Sequence, residues 1–87
     1  MIIIKGDLNG DGKIDIKDLM FFWLHINGAI NLADYPAAFI AADIDNDGTL
    51  TRTKPNGYGD YERIERHING QEILTEVIQY DGNESIL

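Results

Sequence analysis

The chain contains no cysteine, which excludes disulfide staples and thiolate metal sites alike. Histidine is nearly as scarce: His25 and His67 are the two present, too few and too far apart to argue for zinc. No apolar run approaches the roughly 18 residues of a membrane span. The opening "MIIIKG" is too short for a signal peptide and lacks a cleavage region. Met1 reads as an added start, and the chain as a module taken from a longer protein. Positive charge is also short, with seven Lys and Arg against fifteen Asp and Glu and a net charge of −8. Nucleic acid and anionic membrane are therefore poor partners. The 87 residues make one small domain, 1–87. Such a chain buries about 60–65% of its unfolded surface and commonly needs a staple. An apolar content of 44% excludes a disordered acidic tail. What remains is an oxygen-bound metal, a partner or unusually good packing.

The acids are not spread evenly. "DLNGDGKIDIKD" places Asp7, Asn9, Asp11, Gly12, Asp15 and Asp18 at positions 1, 3, 5, 6, 9 and 12 of a twelve-residue window. This is a calcium-loop spacing. Ca²⁺ takes six to eight hard oxygens at about 2.3–2.6 Å, and residues at 1, 3 and 5 of a tight loop point at one centre. Gly12 permits the sharp turn. Lys13, at position 7, offers its backbone carbonyl. Ile14 can pack beneath the loop, Asp15 can ligate directly or through water, and Asp18 closes the site from the following helix. A solvated Asx-rich turn would explain "NGDG" alone. It would leave the carboxylates of the whole window without a cation.

"DIDNDGTLT" begins the pattern again, with Asp43, Asp45, Asp47 and Gly48 at 1, 3, 5 and 6, Thr49 at 7, Leu50 at 8 and Thr51 at 9. Position 12 falls on Lys54, a cation that cannot close a cation site. The duplication resolves this: "DLMFFWLHING" (18–28) aligns with "DYERIERHING" (60–70), so Asp60 matches Asp18. Six extra residues then lie within "RTKPNGYG" (52–59), a surface bulge of low entropic cost. Asp60 returns as the closing ligand; a second site with water in its place is the alternative. Two Ca²⁺ would engage eight of the fifteen acids and bring the net charge from −8 to −4. The metal would then serve as the staple.

Each loop runs into a helix, about 16–26 and 59–68, stopped by Asn27-Gly28 and Asn69-Gly70. "LADYPAAFIAA" predicts a short linking helix capped by Asp34 or Tyr35, with Pro36 in its first turn. Repeat one covers about 7–28, the linking segment 29–42, repeat two 43–70 and the tail 71–87. Only six residues precede Asp7, and "IIIK" is β-branched, so the entering helices of an EF-hand are missing. This arrangement of duplicated calcium loops, exit helices and a linking helix resembles the dockerin family over about residues 6 to 70. The expected fold is mainly α: a small three-helix dockerin-like module with two EF-hand-like calcium loops lacking entering helices.

The resemblance implies a non-catalytic, calcium-dependent module that binds a cohesin domain. It further implies a monomer or one-to-one complex, and a parent protein anchored in an extracellular, cellulosome-type assembly for polysaccharide degradation. The family's cohesin-contacting positions map onto Ile16, Lys17, Trp23 and Leu24. In repeat two they become Tyr58, Gly59, Glu65 and Arg66. An EF-hand-type calcium sensor or buffer, or a calcium-stapled domain without a partner, is the alternative reading.

Aligned residues that stay apolar in both halves mark a shared core stripe: Leu19/Tyr61, Phe22/Ile64 and Ile26/Ile68. Met20, Phe21, Trp23 and Leu24 face charged counterparts in repeat two (Glu62, Arg63, Glu65, Arg66), so they form a candidate partner face. The middle segment or the tail can cover part of it, Phe21 first. The unlike faces imply docking in one orientation. His25 and His67 occupy equivalent places near helix ends, where a His favours the dipole and caps carbonyls. No nucleophile–base pair is apparent, which argues against an enzyme. "MIIIK" and "EILTEVIQY" can form a terminal clasp of Ile2–Ile4 with Ile73–Ile78, or 71–79 can continue as helix. "NES" at 83–85 matches the glycosylation acceptor pattern.

Overall fold

Three consecutive β-branched residues form strand β1 (Ile2–Ile4), and in this computed structural model, which describes residues 2–81, it opens the chain. β1 pairs antiparallel with β4 (Val77–Gln79), Ile3 opposite Ile78. The clasp therefore forms, and the helical continuation of 71–79 does not. The 83–85 acceptor pattern lies outside the described residues.

Between the clasp strands run three helices. α1 (Ile16–Ile26) starts at Asp15, whose carboxylate accepts from the Lys17 N–H while Asp18 reaches back to the Asp15 N–H. This is a reciprocal cap that satisfies two orphan donors. α2 (Pro36–Ala42) follows a single 3₁₀ turn at Leu32–Asp34. Tyr35 precedes it and Pro36 opens its first turn. Its Ala-rich run favours helix, and it ends against Asp43. The expectation of loops without entering helices therefore needs correction. β1 enters the first loop, but α2 enters the second. α3 (Asp60–Ile68) packs against α1, and its first turn is held by Glu62 Oε1 accepting from the Gly59 N–H.

The core lies between α1, α3 and the small residues of α2. Leu19, Phe22 and Ile64 are buried there, with Ala38, Ala41 and Ala42 closing from α2. Phe22 meets the edge of Tyr61 at 5.6 Å between ring centres. Burying side chains of this size contributes about 1.5–3 kcal/mol each. Tyr61 and Ile68 are half-buried against this core. Ile26 departs from the expected stripe and is 37% exposed. At this end the His25 ring packs edge-on against Phe22, 6.3 Å between ring centres.

Both exit helices end identically. The Ala29 N–H donates to the Leu24 carbonyl, and Gln71 does the same to Arg66, with Gly28 and Gly70 in the left-handed region. The imidazoles act otherwise than expected. Nδ1 of His25 accepts from the Leu32 N–H at 3.0 Å, and Nδ1 of His67 accepts from the Leu74 N–H at 3.0 Å. Each ring nitrogen accepts a backbone N–H and ties the following segment to its helix. The repeat thus extends to Leu32 and Leu74, both buried, and "HINGAINL" (25–32) parallels "HINGQEIL" (67–74).

Candidate metal centres and docking face

The first loop folds around its carboxylates. Asp7 accepts from the Gly12 N–H at 2.9 Å and the Asp11 N–H at 3.2 Å. Asn9 Oδ1 accepts from Asp11, and Asp11 from Lys13. Asp18 accepts from Asn9 with one oxygen and from Asp15 with the other. Carboxylate oxygens of Asp7, Asp11 and Asp18 lie within 4.8 Å of one another. Asp15 stands apart from this cluster, committed to the helix cap.

The second loop repeats most of the pattern, without a counterpart to the bond from the Asp11 N–H to Asp7. Asp43 accepts from Gly48, Asp45 from Asp47, and Asp47 from Thr49. Asp60 accepts from Ile44 and Asp45 with one oxygen and from Thr51 with the other. Asp60 therefore occupies the place of Asp18, on the far side of the insertion. Carboxylate oxygens of Asp43, Asp45, Asp47 and Asp60 gather within 4.8 Å. Asp43 is 7% exposed, and its Oδ1 is buried without a hydrogen-bond partner. An unpaired buried carboxylate oxygen is costly, and a cation relieves it. Ile14 and Leu50 pack beneath their loops against the core.

The insertion is a hairpin. β2 (Thr53–Lys54) pairs with β3 (Gly57–Tyr58) around Pro55-Asn56, so residues 53–58 account for the extra length. At its neck Gly59 lies against Arg52, where a Cβ would overlap the Arg52 carbonyl. The Tyr61 N–H donates to the Thr51 carbonyl as the Leu19 N–H does to Asp15. In space, Arg52 and Gly59 thus follow Thr51 as Ile16 and Lys17 follow Asp15. This corrects the assignment of Tyr58 to the first of those places. The hairpin also carries Lys54 onto the loop, where its Nζ pairs with Asp45 and, at 3.4 Å, with Asp47.

Burial sets the acidities. It pushes the Asp18 carboxyl up to about 6 and raises Asp7, Asp43 and Asp60 in the same direction. The exposed acids move oppositely. The Thr49 N–H holds Asp47 down at about 2, and the Lys13 N–H lowers Asp11. One residue that motif reading passed over supports the second loop. Lys5 is 1% exposed, and its Nζ donates to the Ile40 carbonyl, the Asp43 carbonyl and Asn46 Oδ1 at 2.7–2.8 Å. Burial pushes this ammonium's pKa down, while Asp43 and the acids around it pull it back.

On α1, Ile16, Met20 and Trp23 are 65%, 49% and 48% exposed. With Lys17, Leu19 and Tyr61 they line an apolar groove of about 300 Å³. Among the described residues neither α2 nor the tail lines it. Phe21 and Leu24 are half-buried, and Phe21 packs on the core. On α3, Glu62 and Glu65 stand where Met20 and Trp23 stand on α1, and the arginines that match Phe21 and Leu24 are engaged by their own chain. Arg63 and Arg66 both hold Glu72, and the Arg66 guanidinium lies 4.1 Å over the Tyr58 ring.

The family model for the dockerin type I domain matches residues 5–53. The chain belongs to the dockerin type I family. The match takes in the first loop, α1, α2 and the acids of the second loop up to the hairpin. Dockerin domains are non-catalytic modules that bind calcium, and membership implies a cohesin-binding docking role in cellulosome-type assemblies. The clustered acids of this dockerin can hold a metal ion. Comparison with curated proteins and with solved structures returned no match. Among the described residues no helix is long and apolar enough to cross a membrane.

Proposed function

We propose that the chain is a calcium-dependent docking module that takes two Ca²⁺ and binds a cohesin domain one-to-one through the groove on α1, outside the cell. In this reading Asp7, Asn9, Asp11, the Lys13 carbonyl and Asp18 hold one ion, with Asp15 contributing through water. Asp43, Asp45, Asp47, the Thr49 carbonyl, Thr51 and Asp60 hold the other. The matched hydrogen-bond pattern of the two loops supports this, as does the buried, unpartnered oxygen of Asp43.

The observation that carries the docking assignment is the contrast between the two helices. α1 presents Trp23, Met20 and Ile16 around an open apolar groove, whereas α3 carries the charged Glu65 and Glu62 at the places of Trp23 and Met20. Exposed aromatic anchors dominate protein interfaces. A single docking orientation led by repeat one follows. Titration of the chain against purified cohesin domains, in calcium and in chelator, tests it. Met20→Ala/Trp23→Ala should weaken binding at least about thirtyfold, since loss of even one anchor costs on the order of 2 kcal/mol. Calcium uptake should be unchanged. Glu65→Ala, on the equivalent face of α3, should change affinity by less than about threefold. Full binding by the Met20/Trp23 variant would overturn the assignment.

A further inference from the structure

We infer that Lys54 is a tethered competitor of the second calcium ion, making the two loops unequal. The inference rests on the calcium reading above. The hairpin sets Lys54 opposite Gly57, beside the turn at Pro55-Asn56, and delivers its ammonium to Asp45 and Asp47. These are two of the four acids that gather in the second loop. An ion entering that cage must displace the ammonium from both carboxylates. The first loop has no such device: among the described residues no Lys or Arg forms an ion pair with Asp7, Asp11 or Asp18. Asp43 shows that the competition is incomplete. Its buried Oδ1 has no partner, because Lys54 reaches only the outer acids of the loop. The loop thus keeps a demand for a cation that the tethered one does not meet.

The expected behaviour is two-step filling, the first loop at lower calcium and the second at higher. A competent fraction of about one-tenth lowers apparent affinity about tenfold. Calorimetric titration of the whole chain with CaCl₂ tests this. The parent should show a tight and a weak class, and Asp47→Ala, which removes the ligand oxygen, should abolish the weak one. Lys54→Gln should tighten the weak class about tenfold while leaving the tight class unchanged. Lys54→Arg, which keeps the charge, should stay within about threefold of the parent. Three results overturn the competition and leave the docking reading intact: two equal classes in the parent, a weak class unmoved by Lys54→Gln, or loss of the tight class in Asp47→Ala. A chain that takes up no calcium overturns both.

Discussion

Three acceptors converge on the Nζ of Lys5, one from the end of α2 and two from the second loop. All three ammonium protons are used, which is how a lysine survives complete burial. Lys5→Met would keep the stem and leave buried acceptors unpaired, each at about 1–3 kcal/mol. We expect a loss on the order of 3 kcal/mol, read as a lower midpoint in urea unfolding at saturating calcium. Nothing local in "IIIKGD" announces this role, because the partners lie 35 to 41 residues away. The loop acids were legible for the opposite reason. Their spacing is the one a single cation centre asks for within a dozen residues, so Asp7, Asp11 and Asp18, which do gather in the fold, could be grouped from the chain alone. Asp15 shows where that reading stops, since a carboxylate at a helix start has a cap to make as well as an ion to meet.

The hairpin of residues 53–58 is an element added to a loop that is otherwise complete. Its neck brings Arg52 against Gly59, and Asp60 keeps the hydrogen bonds that Asp18 makes in the first loop. Deleting residues 53–58 should therefore leave the fold intact. A six-residue change in loop length alters closure entropy by about 1 kcal/mol or less. Circular dichroism should show unchanged helix, with a melting temperature within about 5 °C of the parent. A collapse of helical signal would mean that the hairpin props up α3. The length of the insertion could be counted from the sequence because the flanking helices are near-copies. Its effect on the loop could not, because the contact of Lys54 with Asp45 and Asp47 depends on how the hairpin folds back. The entry of α2 into the second loop was masked for a different reason. A seven-residue helix with Pro at its start reads as a connector until its last residue is seen to abut Asp43.

Across the whole molecule the proposed calcium sites would couple calcium, protons and folding through the buried acids. A carboxyl raised by burial is harder to ionise in the folded chain than in the unfolded one. Its contribution to stability is fully present below about pH 3.9 and is lost as pH rises through the folded value, about 6 for Asp18. Asp7, Asp43 and Asp60 shift in the same direction. In calcium-stripped buffer the melting temperature should therefore fall between pH 5 and pH 7, by about 5 °C or more. Saturating calcium should reverse the trend, because the ion requires the ionised forms. A scan of melting temperature against pH, with and without calcium, checks both signs. At this scale the repeat made the helices, their ends and most of the core legible. The tail was not, because its alternatives differ only in a pairing across 75 residues, and no local propensity decides such a contact. That pairing has a mechanical consequence. In the antiparallel clasp Ile2 lies opposite Gln79, so chain running outward from these two residues leaves at the same end of the ladder. Tension drawing those ends apart loads the hydrogen bonds one after another, as in opening a zip, and the clasp gives way at low force. Tension between one end and the groove on α1 leaves the opposite strand unpulled.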